Sequence, residues 1–204
     1  MTRVYAFEGL SPVVSPDAYV HPRATLIGDV LVGAHCYIGP GACLRGDFGR
    51  IRIEAGANVQ DNCVLHSFPD GELRVGEGGH IGHGAILHGC RVGANALVGM
   101  QAVLMDGVEV GEDAFIAAMA LVKTGQQVPP GSLFAGQPAR LVRQLAVEEI
   151  EWKRRGSGIY QELARRCLAG LREVTALREA EPDRPRIRWA AQPNKPGRAV
   201  TDPT

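Results

Sequence analysis

The sequence predicts a mainly-β protein, a parallel β-helix of hexapeptide repeats over residues 1–139 with C-terminal α-helices packed along it. Three observations carry that prediction. An aliphatic residue recurs every six positions, the residue two places before it is small and apolar, and 22 of the 26 glycines lie within residues 1–140. Regularly spaced glycine without a collagen period marks tight turns between short strands.

The aliphatic column runs Val20, Leu26, Val32, Ile38 and Leu44, then Ile53, Val59 and Leu65, then Val75, Ile81 and Leu87. It ends with Val92, Val98, Leu104, Val110, Ile116 and Val122. Of the 17 residues two places earlier, nine are alanine and three are cysteine. Three hexapeptides make one coil, so the column predicts about six coils stacked at about 4.8 Å. Large aliphatic side chains stack inside, and the small ones fit the corners. Cys36, Cys63 and Cys90 occupy the small slot and read as inert core thiols. Two steps are long. One contains Arg45-Gly46-Asp47-Phe48-Gly49-Arg50, the other Ser67-Phe68-Pro69-Asp70-Gly71, and both predict loops on one side.

Gly136-Gln137-Pro138-Ala139-Arg140 predicts a turn. Residues 140–178 form a helical segment with Leu163, Cys167, Leu171 and Val174 at helical spacing, and Gly156-Ser157-Gly158 is expected to break it in two. Residues 179–204 are a proline-rich tail. Charge splits at the same boundary. Residues 1–140 carry 9 basic and 13 acidic side chains, and residues 141–204 carry 13 and 9, for a total of zero. That balance gives no basic footprint for nucleic acid or an anionic membrane. No apolar run is long enough to span a bilayer, the N-terminus lacks a signal pattern, and the five cysteines show no paired spacing. The expected location is the cytoplasm.

The register also sorts the six histidines. His66 follows Leu65 and His88 follows Leu87, three hexapeptides apart, so their imidazoles stack on one face within reach of one zinc ion. Arg45, after Leu44, lies one coil below them. His83 is two residues after Ile81 and belongs to another face, above Asp61 and beside Gln60. It reaches the same metal only from a neighbouring chain, which predicts a threefold assembly with metal sites between subunits. His21, His35 and His80 read as surface decoration.

Arg45-Gly46-Asp47, Asn58-Val59-Gln60-Asp61 and the histidines 66, 83 and 88 together resemble the γ-class carbonic anhydrase family over residues 5–175. The resemblance implies a left-handed β-helix and a homotrimer. It also implies zinc, or iron or cobalt, held by His66, His83 and His88. Within that family, Gly99–Gly107, Ala117–Lys123, Trp152-Lys153-Arg154, Tyr160–Cys167 and Arg184-Pro185-Arg186 are similar to the branch serving phenylacetic acid degradation, with a carnitine-pathway branch close by. The implied activity is a thioesterase for ring-modified phenylacetyl-CoA intermediates. A metal-activated water would attack the thioester carbonyl.

The resemblance further implies that Gln60 orients the attacking water and that Tyr160 reaches the site from the C-terminal helix. Arg45, Asp47 and Asp61 would form an ion-pair network across the trimer interface, with Arg50 and Arg52 available to CoA phosphates. The carbonic anhydrase pattern has a glutamate where Phe48 stands here. That weakens CO2 hydration, and Phe48 and Phe68 suit an apolar or aryl acyl group instead. Authentic carbonic anhydrase activity, a non-catalytic accessory of a CoA pathway and a hexapeptide acyltransferase are the competing readings. An acyltransferase needs one general-base histidine, not three at ligand geometry.

Overall fold

The computed structural model describes residues 3–189. It is a left-handed parallel β-solenoid of about 7 turns with one C-terminal helix. The turn count exceeds the sequence estimate because the repeat extends beyond the aliphatic column at both ends. Val4 pairs with Leu26 and Val14 with Val32 before it, and Val128 and Phe134 continue it afterwards.

Each of the three faces stacks its aliphatic residues in register. Leu26, Leu44, Leu65, Leu87, Leu104 and Val122 line the first face. Val32, Ile53, Val75, Val92 and Val110 line the second, and Val20, Ile38, Val59, Ile81, Val98 and Ile116 the third. All of the predicted column is buried except Val20, which is partly buried. Period and burial coincide because a coil has room for one large inward side chain per face, with the small residues closing the corners.

The corners explain the glycine excess. At the corner between the third and first faces, Gly41, Asn62, Gly84, Gln101 and Met119 all take positive φ. Coils also approach one another closely there. A Cβ on Gly99 would lie 2.4 Å from the Ala118 backbone nitrogen, so only glycine fits.

The two long steps behave differently from each other. Residues 45–50 are not a loop but part of one strand, Cys43–Ile53, that crosses the corner beside Thr25–Val32 with a register shift near Gly28. Residues 67–71 do form a turn, and it packs on that strand. Asp70 N–H donates to the Phe48 carbonyl at 3.2 Å and Arg50 N–H to Gly71 at 2.9 Å.

The expected turn at Gly136–Arg140 closes an antiparallel pair, Ser132–Gly136 with Ala139–Gln144, on the third face. A single helix, α1, then spans Val147–Gly170. The predicted break at Gly156-Ser157-Gly158 is absent, and Leu171 and Val174 lie past the helix end, exposed. Tethers at helical spacing offset the cost of the two glycines, about 1 kcal/mol each. Lys153 Nζ and Ser157 Oγ donate to the Gly78 carbonyl at 2.6 and 3.1 Å, and Gln161 Nε2 donates to Gly56 at 3.4 Å. Arg166 sits over the Trp189 ring at 4.1 Å and holds the following chain. Residues 190–204 of the predicted tail lie outside the described residues. No helix is long and apolar enough to cross a membrane among the described residues.

Candidate functional site

The first face brings Arg45, His66 and His88 into one column, each paired with the next across adjacent strands. His66 Nδ1 and His88 Nε2 face each other at 3.1 Å. The opposite nitrogen of each ring meets a carboxylate: His66 Nε2 lies 3.1 Å from Asp47 Oδ1, and His88 Nδ1 contacts Asp106 Oδ1. A carboxylate can only accept, so the protons sit on those outer nitrogens. With both rings neutral, the two inner nitrogens turn lone pairs toward one space, which a shared proton or a metal ion would fill. Tetrahedral zinc bonds of 2.0–2.1 Å separate two ligand nitrogens by about 3.3 Å, close to this spacing.

Asp47 is the hub of this half-site. Its other oxygen accepts from Arg45 at 2.8 Å. Burial acts to raise the Asp47 carboxyl, but the hydrogen bonds from Arg45 and His66 outweigh it and hold the group below its usual value. Burial pushes His66 down in turn, so its neutral form prevails near neutral pH. Asp106 is a partner the sequence reading missed. The signal was available: it stands one coil beyond Gly89, the residue after His88.

His83 lies on the corner between the third and first faces and does not approach the other two. Its Nδ1 is 2.7 Å from Asp61 Oδ2, which leaves Nε2 free. Among the described residues, no three His, Cys, Asp or Glu side chains of one chain gather at a metal-binding geometry. All three histidines nevertheless share one arrangement, with one nitrogen anchored by an aspartate and the other open. That is how ligating imidazoles are oriented. The donor set thus fits a zinc-like ion, provided the two half-sites meet.

Gln60 adjoins Asp61 and is 2% exposed. Its Nε2 contacts Asn58 Oδ1 at 3.0 Å and His80 Nε2 at 2.7 Å. Tyr160 does not touch His66 or His88 among these contacts. Its ring stands edge-on to His80, with centroids 5.3 Å apart, and tilts against Tyr37. His80, read from sequence as decoration, is thus part of the Gln60 cluster. Its register position, between Asn58 and Leu97 on the outer side of the third face, becomes informative only once α1 is known to cover it.

Two aromatic rings bracket the paired imidazoles. Phe48 lies 5.1 Å from His66 and Phe68 lies 5.0 Å from His88, and both are exposed. Phe68 is fixed against Gly89, where a Cβ would come within 3.0 Å of the ring. Beside them is a cavity of about 410 Å³ whose lining includes Phe7, Leu10, Phe48 and Arg50. Its wall also carries Glu8, Asp29, Asp47, Asp70 and Glu72. Arg50 is engaged by Asp29 at 2.9 Å and Arg52 by Glu72 at 3.5 Å. An acidic wall whose one arginine, Arg50, is already paired disfavours CoA phosphates there.

The same first face leaves an apolar column outside. Cys43, Val64, Ile86, Val103 and Leu121 stack in register, and Val64 and Ile86 are 43% and 45% exposed. At the His83 corner, Met100 and Met119 are also exposed. Cys36, Cys63 and Cys90 are buried in the small inward slot, as the repeat predicts. Burial pushes Cys36 and Cys90 up to about 12 and Cys63 to about 11.

A family model for the bacterial transferase hexapeptide (six repeats) matches residues 89–124. The carnitine operon protein CaiE of Salmonella agona is 56% identical over 184 residues, covering 90% of this chain and 93% of that protein. CaiE of Escherichia coli O7:K1 is 54% identical with the same coverage. Among solved structures, a hexapeptide transferase family protein of Anaplasma phagocytophilum superposes with a TM-score of 0.77 at 37% identity, over 80% of this chain and 96% of that one. The product of the Bacillus cereus BC4754 gene gives 0.81 at 34%, over 82% and 98%. With the hexapeptide register, the stacked faces and this similarity along nearly the whole chain, the protein belongs to the CaiE family of hexapeptide-repeat β-helix proteins.

Proposed function

We propose that this protein is a metal-dependent acyl-CoA thioesterase, assembled as a homotrimer with its metal sites between subunits. The observation that carries the reading is the facing pair, His66 Nδ1 and His88 Nε2 at 3.1 Å, each ring anchored from behind by an aspartate. Two lone pairs aimed at one space repel unless a cation is shared between them. His83, anchored by Asp61, supplies the third nitrogen from a neighbouring chain. The apolar column on the first face, with Val64 and Ile86 exposed, and the methionines at the His83 corner give that neighbour a surface to bury.

The metal, when bound, polarises the carbonyl and makes water nucleophilic near neutral pH. The chain's own residues do the rest. Asp47, Asp61 and Asp106 hold the three tautomers. Gln60 orients the attacking water. Phe48 and Phe68 bracket the acyl group, and their rings favour an aryl or other apolar acyl chain, as in ring-modified phenylacetyl-CoA thioesters. The cytoplasm, where CoA thioesters are made and used, is the fitting compartment.

A second reading is favoured by the relatives, which are named for a carnitine operon. In it the protein is a non-catalytic accessory of a CoA pathway. Metal analysis of the purified trimer, with thioester hydrolysis and CO2 hydration assayed side by side, separates these. Stoichiometric metal with thioester turnover supports the proposal. Fast CO2 hydration without thioester turnover would make it a carbonic anhydrase. A metal-free trimer from zinc-replete medium, inert in both assays, leaves the accessory reading.

A further inference from the structure

We infer that His80 is a positioning residue, whose Nε2 accepts a hydrogen bond from the Gln60 amide and so fixes which end of that amide faces the candidate site. This rests on the reading above that Gln60 lines that site. The geometry is restrictive. Two contacts, to Asn58 Oδ1 at 3.0 Å and to His80 Nε2 at 2.7 Å, converge on the single nitrogen Gln60 Nε2. An amide nitrogen has two hydrogens to give and accepts nothing. In this amide orientation both are spent within the chain and His80 Nε2 is the acceptor, carrying no proton.

The surroundings favour that state. Burial, reinforced by the positive charge of Lys153 and by His83, pulls the His80 imidazole down to about 3. The other groups against it are the Tyr160 ring, edge-on from α1, and Gln60 itself. A neutral ring with a bare Nε2 must hold its proton on Nδ1.

The consequence is chemical. With both N–H groups committed, Gln60 has only Oε1 left to offer. An oxygen acceptor orients the O–H of a water and cannot stabilise a developing oxyanion. Gln60 would then steer the nucleophile, and oxyanion stabilisation must come from elsewhere in the site. The reversed amide would do the opposite, accepting from a protonated Nε2 and presenting N–H donors. Tyr160 acts at one further remove, by packing the imidazole in place.

The test uses the full-length protein labelled with 15N at histidine and at the glutamine amide. The expected spectrum shows His80 with Nδ1 protonated and Nε2 bare, and Gln60 amide protons protected from exchange. In His80→Leu that protection should fall at least about tenfold, the scale of one buried hydrogen bond. Thioester kcat should fall by a similar factor, with KM, metal content and trimer mass unchanged. His80→Asn, which restores an acceptor, should recover part of both. A protonated Nε2 in the wild type, or undiminished Gln60 protection in His80→Leu, overturns the inference. If the wild type turns over no thioester, the functional reading fails, and the tautomer and amide signals still decide the positioning claim. If His80→Leu does not fold, the wild-type tautomer and His80→Asn decide it.

Discussion

His66 Nδ1 and His88 Nε2, 22 residues apart in sequence, face each other across 3.1 Å. Asp47 and Asp106 hold the two rings from behind. If this pair holds a metal, removing either imidazole abolishes stoichiometric binding, and Asp106→Asn weakens affinity about 10- to 100-fold without unfolding the chain. Zinc titration against a competing chelator measures both. An Asp106→Asn variant with wild-type affinity would remove the carboxylate from the site.

Neither His66→Ala nor His83→Ala homotrimers should turn over substrate. Mixed trimers of the two retain some interfaces carrying both wild-type half-sites, so activity and metal should partly return on co-refolding. Mixing that restores neither would show that His83 does not act across the interface.

Phe48→Ala and Phe68→Ala should discriminate between acyl groups. Each exposed ring lies about 5 Å from an imidazole, so its loss should raise KM for phenylacetyl-CoA several-fold. Acetyl-CoA, too short to fill the space between the rings, should be affected little. An equal loss on both substrates would assign the rings to local packing.

Lys153 gives a stability signature. It is 2% exposed, and burial pulls it from 10.5 down to about 7, with Asp113 opposing and Arg154 assisting. The unfolded chain keeps that proton to about pH 10, whereas the folded chain releases it near 7. Between those values the unfolded state binds more protons, so stability rises with pH. From pH 7 to 9 this contributes about 2 kcal/mol. The buried thiols, held above their ordinary value, act in the opposite sense as pH approaches 9, so the signature is a difference: in denaturant titrations at the two pH values the wild type should gain about 2 kcal/mol relative to Lys153→Met. His80 acts in the same sense as Lys153 at lower pH, between about 3 and 6.5.

Gly99→Ala tests the coil spacing directly. Its new Cβ would sit 2.4 Å from the Ala118 backbone nitrogen, an approach no side-chain motion relieves. A loss of about 2–3 kcal/mol is expected from overpacking a rigid stack. Gly156→Ala, with nothing within 4 Å of its Cβ and a helical backbone, should be neutral or stabilising.

Much of the histidine column on the first face was legible in the sequence. A hexapeptide period assigns every residue a face and a level, so Arg45, His66 and His88 could be stacked by counting. His83 could be excluded from their face in the same way. Counting failed where the chain left the period. It turned residues 45–50 into a loop and broke a helix that is continuous; His80 keeps the period, and reading it as decoration failed because α1, which covers it, is not part of the repeat.

The sequence by itself determined the prism: its faces, its buried column and the level of each histidine. These follow from a repeat in which local spacing and burial are the same information. Only the tertiary structure decided where α1 lies, because Lys153 and Gly78 are 75 residues apart and nothing periodic links them. It also decided which nitrogen each imidazole keeps free. That choice belongs to Asp47, Asp61 and Asp106, and to the packing that brings each within a hydrogen bond of its ring.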